Sequence, residues 1–213
     1  MKNKIRVGTR PSILALKQVE EIKERFPKID MQVVPIYTQG DRDKTTSLLG
    51  SDDSDFFTRE IERALLNGDI DIAVHSAKDL EKNMPDNLTV ALMTDSISPF
   101  EALVSRGNLA LDKLPPGARV GTSSLRRKDA LLNFRPDLKA GDIRGNIEER
   151  IRQLDENKFD AIIVAHAALI RLGLEKIIAQ IIPDSIMPAH PLQGRLAIQI
   201  RKDRDDLLSI FKN

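Results

Sequence analysis

The 213-residue sequence has no cysteine, no tryptophan, a single tyrosine and seven phenylalanines. Without a thiol, these residues form no disulfide, no thiolate metal site and no thioether to a cofactor. So few aromatic rings leave no stacking platform of the kind that single-stranded nucleic-acid binders use. Neither sign of charge dominates: 33 Lys and Arg stand against 32 Asp and Glu, a net charge of +1. No general field therefore draws nucleic acid or an anionic membrane, and neither is expected as a partner. No run approaches the roughly 18 apolar residues of a membrane span. Met1-Lys2-Asn3-Lys4 leads into a strand with no apolar signal region, so the expected location is the cytoplasm.

What is present is ordinary for a globular protein, with 41% hydrophobic and 31% charged residues, enough for one large domain or two modest ones. Apolar spacing predicts a strand from Ile5 to Gly8, a helix from Ile13 capped by Ser12, and a strand from Met31 to Tyr37 that Pro35 confines to an edge or bends. A helix is expected from Phe57 to Leu66, a buried strand from Ile70 to Ser76 and another strand from Leu88 to Met93. The polar segment Thr94 to Pro99 reads as a crossover. Beyond it, strands are expected at Arg119–Gly121, Leu138–Ile143 and Ala161–Ala165, with helices after Ser124 and Asn146. Leu196 to Ile200 reads as a last strand returning to the first half. The fold class is α/β: two open, mostly parallel sheet domains, 1–95 plus 196–213 and 96–195.

In such sheets ligands sit beyond the C-terminal ends of strands, where helix starts present backbone N–H groups. Arg10, Ser12, Ser76, Lys78, Asp79, Thr122, Ser124, Arg126, Arg127, Arg144 and Arg150 all fall at or just after such ends. A lone arginine is more often a surface ion pair worth about 0–1 kcal/mol. Arginines gathered at strand ends suit a small ligand with several carboxylates held in an interdomain cleft, because each guanidinium fork donates two parallel hydrogen bonds to a carboxylate. Asp79, among basic residues, is a carboxylate fit to stabilise a cation or shuttle a proton, or else a helix N-cap or a structural ion pair.

His75-Ser76-Ala77-Lys78-Asp79, Gly121-Thr122-Ser123-Ser124-Leu125-Arg126-Arg127, Ile143-Arg144-Gly145-Asn146 with Arg150, and Arg171-Leu172-Gly173 resemble the signature segments of the porphobilinogen deaminase family. Arg6 to Ser12 and Phe57-Thr58-Arg59-Glu60 fit as well, so the resemblance runs through nearly the whole chain. It implies two domains with the fold of type II periplasmic binding proteins. It assigns Asp79, with Lys78, to deamination and carbon–carbon coupling. Arg10, Arg126, Arg127, Arg144, Arg150 and Arg171 are implied to hold pyrrole acetates and propionates. Ser12, Ser76, Lys78, Thr122, Ser124 and Gln193 add hydrogen bonds, and Phe57 packs on a pyrrole ring.

The chain departs from the family pattern in several places. The family carries a third domain whose cysteine anchors a dipyrromethane primer; the expectation here is a homologue without that domain and without a covalent dipyrromethane. Ser51-Asp52-Asp53-Ser54-Asp55 replaces a Gly- and Lys-containing loop, and Pro188 to Arg195 replaces a shorter Gly-rich segment. His166 stands where the family has a small or apolar residue, and an imidazole there is a candidate haem ligand, with His190 a second. Taken alone, either is more often a hydrogen-bonded loop or cleft histidine. Two functions follow as expectations: noncovalent binding of a pyrrole chain or tetrapyrrole, haem included, or active deamination using a noncovalent primer or a separately encoded third domain. A general small-anion binder is a third.

Overall fold

The computed structural model describes residues 4–43, 54–80 and 84–212. Ser51, Asp52 and Asp53 of the acidic segment lie outside the described residues. The chain forms two compact units, one from the described parts of 1–43, 54–96 and 194–213, the other from 97–193.

In the first unit β1 (Ile5–Thr9) is followed by α1 (Ile13–Arg25), β2 (Met31–Pro35), the single turn α2 (Gln39–Arg42), α3 (Arg59–Asn67), β3 (Ile72–Ser76) and β4 (Leu88–Met93). The second unit contains β5 (Glu101–Ser105), β6 (Arg119–Gly121), α4 (Leu125–Phe134), β7 (Lys139–Gly141), α5 (Ile147–Asp155), β8 (Ala161–Ala165), α6 (His166–Leu172) and β9 (Gln180–Ile182). The chain then returns to the first unit as β10 (Leu196–Arg201) and α7 (Asp205–Phe211).

Both sheets have the same plan. The first runs β2-β1-β3-β10-β4 and the second β7-β6-β8-β5-β9. The first three strands of each are parallel, and the fourth is antiparallel to both of its neighbours. Parallel pairing thus covers half of each sheet. In each unit the antiparallel strand is one that follows a passage between the units, β10 in the first and β5 in the second. Pro35 sits at the end of β2, an edge strand, where its missing N–H breaks no ladder.

Strand alternation divides each core into two faces. In the first sheet Ile72, Val74, Leu196, Ile198 and Ile200 pack with α1 and α7 around Phe211, whose ring meets Phe26 edge-on at 5.0 Å. Ala73 faces the other way, toward Ile61 and Leu65 of α3. Arg6 and Arg204 share the carboxylate of Asp71 at 3.0 and 3.3 Å, tying β1 and the start of α7 to the turn before β3.

Several boundaries differ from expectation. The helix expected from Phe57 is a short 3-10 turn, Ser54–Phe57, and α3 begins only at Arg59. The Phe57 ring lies against Gly40, where a Cβ would overlap it. The strand expected over 138–143 is limited to β7, with Leu138 and Ile143 flanking it, one in each core of the unit. Strands β5 and β9 were not expected.

Candidate functional site

The first unit gathers its candidate residues at the C-terminal ends of β1 and β3. Ser12 caps α1, its Oγ accepting from Ala15 N at 3.3 Å, so its hydroxyl is committed to the helix start. Ser76 Oγ accepts from the Nε2 of buried Gln18 at 2.9 Å. Lys78 and Asp79 occupy the 3-10 turn after β3. None of the described residues hydrogen-bonds the Asp79 carboxylate, so its lone pairs are available to a ligand.

Arg10 is fixed rather than free-swinging. Its Nε and Nη2 donate to Asp41 at 3.1 and 2.5 Å, and its guanidinium lies 4.2 Å from the Phe57 ring centroid. Asp41 also accepts from Thr38 N and Oγ1 at 3.1 and 2.8 Å. Burial pushes the Asp41 carboxyl up, but the bonds and charge of Arg10 together with Thr38 outweigh it and hold the group below the usual carboxylate range. The clamp occupies one edge of the guanidinium and leaves Nη1 for a carboxylate.

In the second unit the helix starts behave as expected. Ser124 caps α4, accepting from Arg127 N at 3.4 Å, and the Thr122 hydroxyl accepts from Ser124 N at 3.3 Å. Asn146 and Glu149 close a reciprocal capping box on α5. Arg144 lies just before that box, Arg150 donates from Nε to Gly145 O at 2.9 Å, and Arg171 lies in the last turn of α6.

Arg126 and Arg127 share one acid. Glu101 at the start of β5 is fully buried; Arg126 Nη2 bonds one of its oxygens and Arg127 Nη2 lies 2.7 Å from the other. Arg126 also donates to Pro188 O, and Arg127 to Ile163 O at 3.2 Å. Two guanidiniums on one carboxylate leave a net charge of about +1 at the start of α4. The Arg126 side chain is 33% exposed and that of Arg127 9%, so Arg126 is the one within reach of a ligand.

The remaining candidates in this unit bind the chain to itself. Gln193 is buried, and its Nε2 donates to Pro99 O and Phe100 O, both at 3.0 Å. His166 Nδ1 lies 2.9 Å from the hydroxyl of buried Ser98. His190 Nδ1 accepts from Leu192 N at 3.1 Å. His166 therefore has only Nε2 to offer a metal. Among the described residues no three His, Asp or Glu side chains gather to hold an ion, and no helix is long and apolar enough to cross a membrane.

Four acids and amides that matter here were not singled out from the sequence: Asp41, Glu101, Glu62 and Gln199. Asp41 did carry a signal, since Thr38-x-x-Asp41 has capping-box spacing. Glu62 lies on the face of α3 that carries Ile61 and Leu65, and Gln199 interrupts an apolar strand, both marks of a polar group turned inward.

His75 is buried beneath the 3-10 turn, with Nε2 3.1 Å from Gln199 Oε1. Burial pulls its pKa down to about 4, against the opposing charge of Asp79 and the bond to Gln199 and with the help of Arg10. Below pH ~6.5 the unfolded chain takes up a proton that the native chain refuses. The stability this histidine allows is therefore complete above pH ~6.5 and falls as the pH drops toward 4, by up to about 3 kcal/mol. Urea unfolding at pH 7 and pH 4.5 checks this. The wild-type chain should lose more stability between the two than His75→Asn, and an equal loss would mean that the histidine titrates normally.

The two-unit α/β architecture is that of the periplasmic-binding-protein-like folds. An ancestral cationic amino acid solute-binding protein aligns with a TM-score of 0.57 at 16% identity, over 97% of this chain and 85% of its own. The sulfate-bound regulatory domain of OxyR2 from Vibrio vulnificus aligns with a TM-score of 0.55 at 15% identity, over 98% and 92%. The family is narrower. The family described as "Porphobilinogen deaminase, dipyromethane cofactor binding domain" matches residues 5–209. Porphobilinogen deaminase of Pelotomaculum thermopropionicum is 42% identical across the whole chain, which spans 69% of that relative. The enzyme from Desulforamulus reducens is 39% identical, again across the whole chain and 70% of its own length. The chain belongs to the porphobilinogen deaminase family, and so to tetrapyrrole biosynthesis.

Proposed function

We propose that this chain holds a linear pyrrole chain noncovalently through its acetates and propionates and, with Asp79, transfers porphobilinogen onto it with release of ammonia. Supporting this is one observation above all: the Asp79 carboxylate has no hydrogen-bonding partner among the described residues although it lies in the same unit as a fixed arginine, Arg10. When ammonia leaves porphobilinogen, the C–N bond breaks and positive charge spreads over the pyrrole ring. An unshared carboxylate stabilises that charge best where water is excluded. The α-carbon of the acceptor pyrrole then forms the new C–C bond, and its proton departs to a base, a role that Asp79 also fits.

In this reading guanidiniums take the ligand's carboxylates. Arg10 and Arg126 do so beside their resident acids, and Arg144, Arg150 and Arg171 from the starts or ends of helices. Ser12, Ser76, Thr122 and Ser124 act mainly by holding the backbone that presents them. A thioether-linked dipyrromethane does not fit these residues, since none of the 213 is a cysteine. The acceptor is therefore free, or its sulfur belongs to polypeptide outside them, such as a separately encoded domain. Haem as the ligand has weaker support, because His166 and His190 have Nδ1 already engaged and neither belongs to a group of three metal donors among the described residues.

Mixing the chain with porphobilinogen and a free dipyrromethane carrying acetate and propionate groups tests the proposal. One ammonia per porphobilinogen consumed is expected, dependent on the dipyrromethane, together with at least a 10-fold loss of dipyrromethane affinity in Arg126→Ala. Absence of ammonia release would refute the transfer, and absence of dipyrromethane binding would refute the proposal as a whole. A Soret band on adding haem that fades in His166→Ala would replace it with haem binding.

A further inference from the structure

Behind the 3-10 turn lies a buried polar chain that the proposed reaction does not use directly. Glu62 on α3, Gln199 on β10 and His75 on β3 all face the same side of the first sheet and are 7%, 0% and 5% exposed. Gln199 Nε2 donates to Glu62 Oε1 at 2.7 Å and lies 3.4 Å from Met84 Sδ, while its Oε1 lies 3.1 Å from His75 Nε2. An amide has a fixed polarity: its NH2 only donates and its oxygen only accepts. With the NH2 directed at a carboxylate, the oxygen must face the imidazole, and the imidazole must present N–H at Nε2. The carboxylate thus sets the direction of the amide, and the amide sets the tautomer of the histidine. A carboxylate in place of the amide would give His75 a charged neighbour and draw a proton onto the ring.

We propose that Gln199 is a positioning residue for the Ser76–Asp79 turn, standing between Glu62 and His75 so that the ring stays an uncharged Nε2–H tautomer within electrostatic reach of Asp79. Three charged groups bear on that ring: Asp79 from the turn, Arg10 from the end of β1, and Glu62 through the amide. An imidazolium there would offset the negative charge that Asp79 presents to a cationic pyrrole. A neutral ring leaves it whole. The value of this arrangement to catalysis rests on the role proposed for Asp79; the relay itself does not.

The isosteric variant Gln199→Glu and the apolar Gln199→Leu test it in the full chain. With only three histidines, imidazole nitrogen NMR resolves His75 once His166 and His190 are assigned. The wild-type ring should remain Nε2–H and neutral to about pH 5, and Gln199→Glu should raise its titration midpoint by roughly one unit or more. Gln199→Leu should lose the fixed tautomer. In porphobilinogen consumption the acid limb of the rate profile should move upward in Gln199→Glu by the same amount, a change that mere destabilisation does not produce. Gln199→Leu should lower kcat about 10-fold with KM unchanged. An Nδ1–H ring in the wild type, or a midpoint and tautomer unchanged in both variants, would overturn the inference. The expected NMR behaviour in a chain that consumes no porphobilinogen would uphold the relay and refute the transferase reading.

Discussion

Asp79→Asn is expected to lower ammonia release from porphobilinogen by about 10²–10³-fold while dipyrromethane affinity changes by less than about threefold. The two carboxylate oxygens become one carbonyl and one amide group, so the side chain keeps its volume but loses its charge. That charge bears on the transition state far more than on the bound ground state, and the loss should therefore fall on kcat. No described residue hydrogen-bonds Asp79, so no structural bond is broken, and thermal unfolding should match the wild type. A variant that keeps the wild-type rate would remove Asp79 from the chemistry and assign its part to another group.

The second large effect is on stability. Glu101→Ala should destabilise the second unit by about 3–5 kcal/mol, because it strands the buried Arg127 without its counter-charge. At this chain length that corresponds to a Tm lower by about 10 °C, measurable by thermal scanning. Glu101→Gln retains the volume and one acceptor and should lose less. The companion change Arg127→Met in the Glu101→Ala background should recover part of the loss, since an apolar side chain carries no uncompensated charge. If Glu101→Ala melts with the wild type, the acid does not hold the arginines, and their geometry must come from the Ile163 and Pro188 carbonyls alone.

These two residues also show what a linear reading reaches. Asp79 was legible because it follows a continuous apolar run, and chemistry in open sheets collects at such strand ends. Strands β1 and β8 and the caps Ser12, Ser124 and Asn146 were legible for the same local reasons: unbroken apolar runs, or a polar residue directly before a helical period. Glu101 was not. It opens the apolar run of β5 as a charged residue, and its purpose depends on Arg126 and Arg127, some 25 residues away. Asp41 and Arg10 are likewise 31 residues apart. Arginines at strand ends announced themselves as anion binders, but their intramolecular carboxylates lie on elements that only the fold brings near. Glu62 and Gln199 do carry a pattern, a glutamate on an apolar helix face and a glutamine within an apolar strand, but neither stands at a strand end, where chemistry in open sheets is sought.

The shared sheet plan has a consequence for how the chain comes off the ribosome. In the first sheet β3 and β4 touch only through β10, which is translated more than a hundred residues after β4 begins. The second unit is uninterrupted from 97 to 193 and has all of its own strands by the time β9 has emerged. Vectorial synthesis therefore completes the inner unit first and leaves β4 waiting, an apolar ribbon with an unfilled flank.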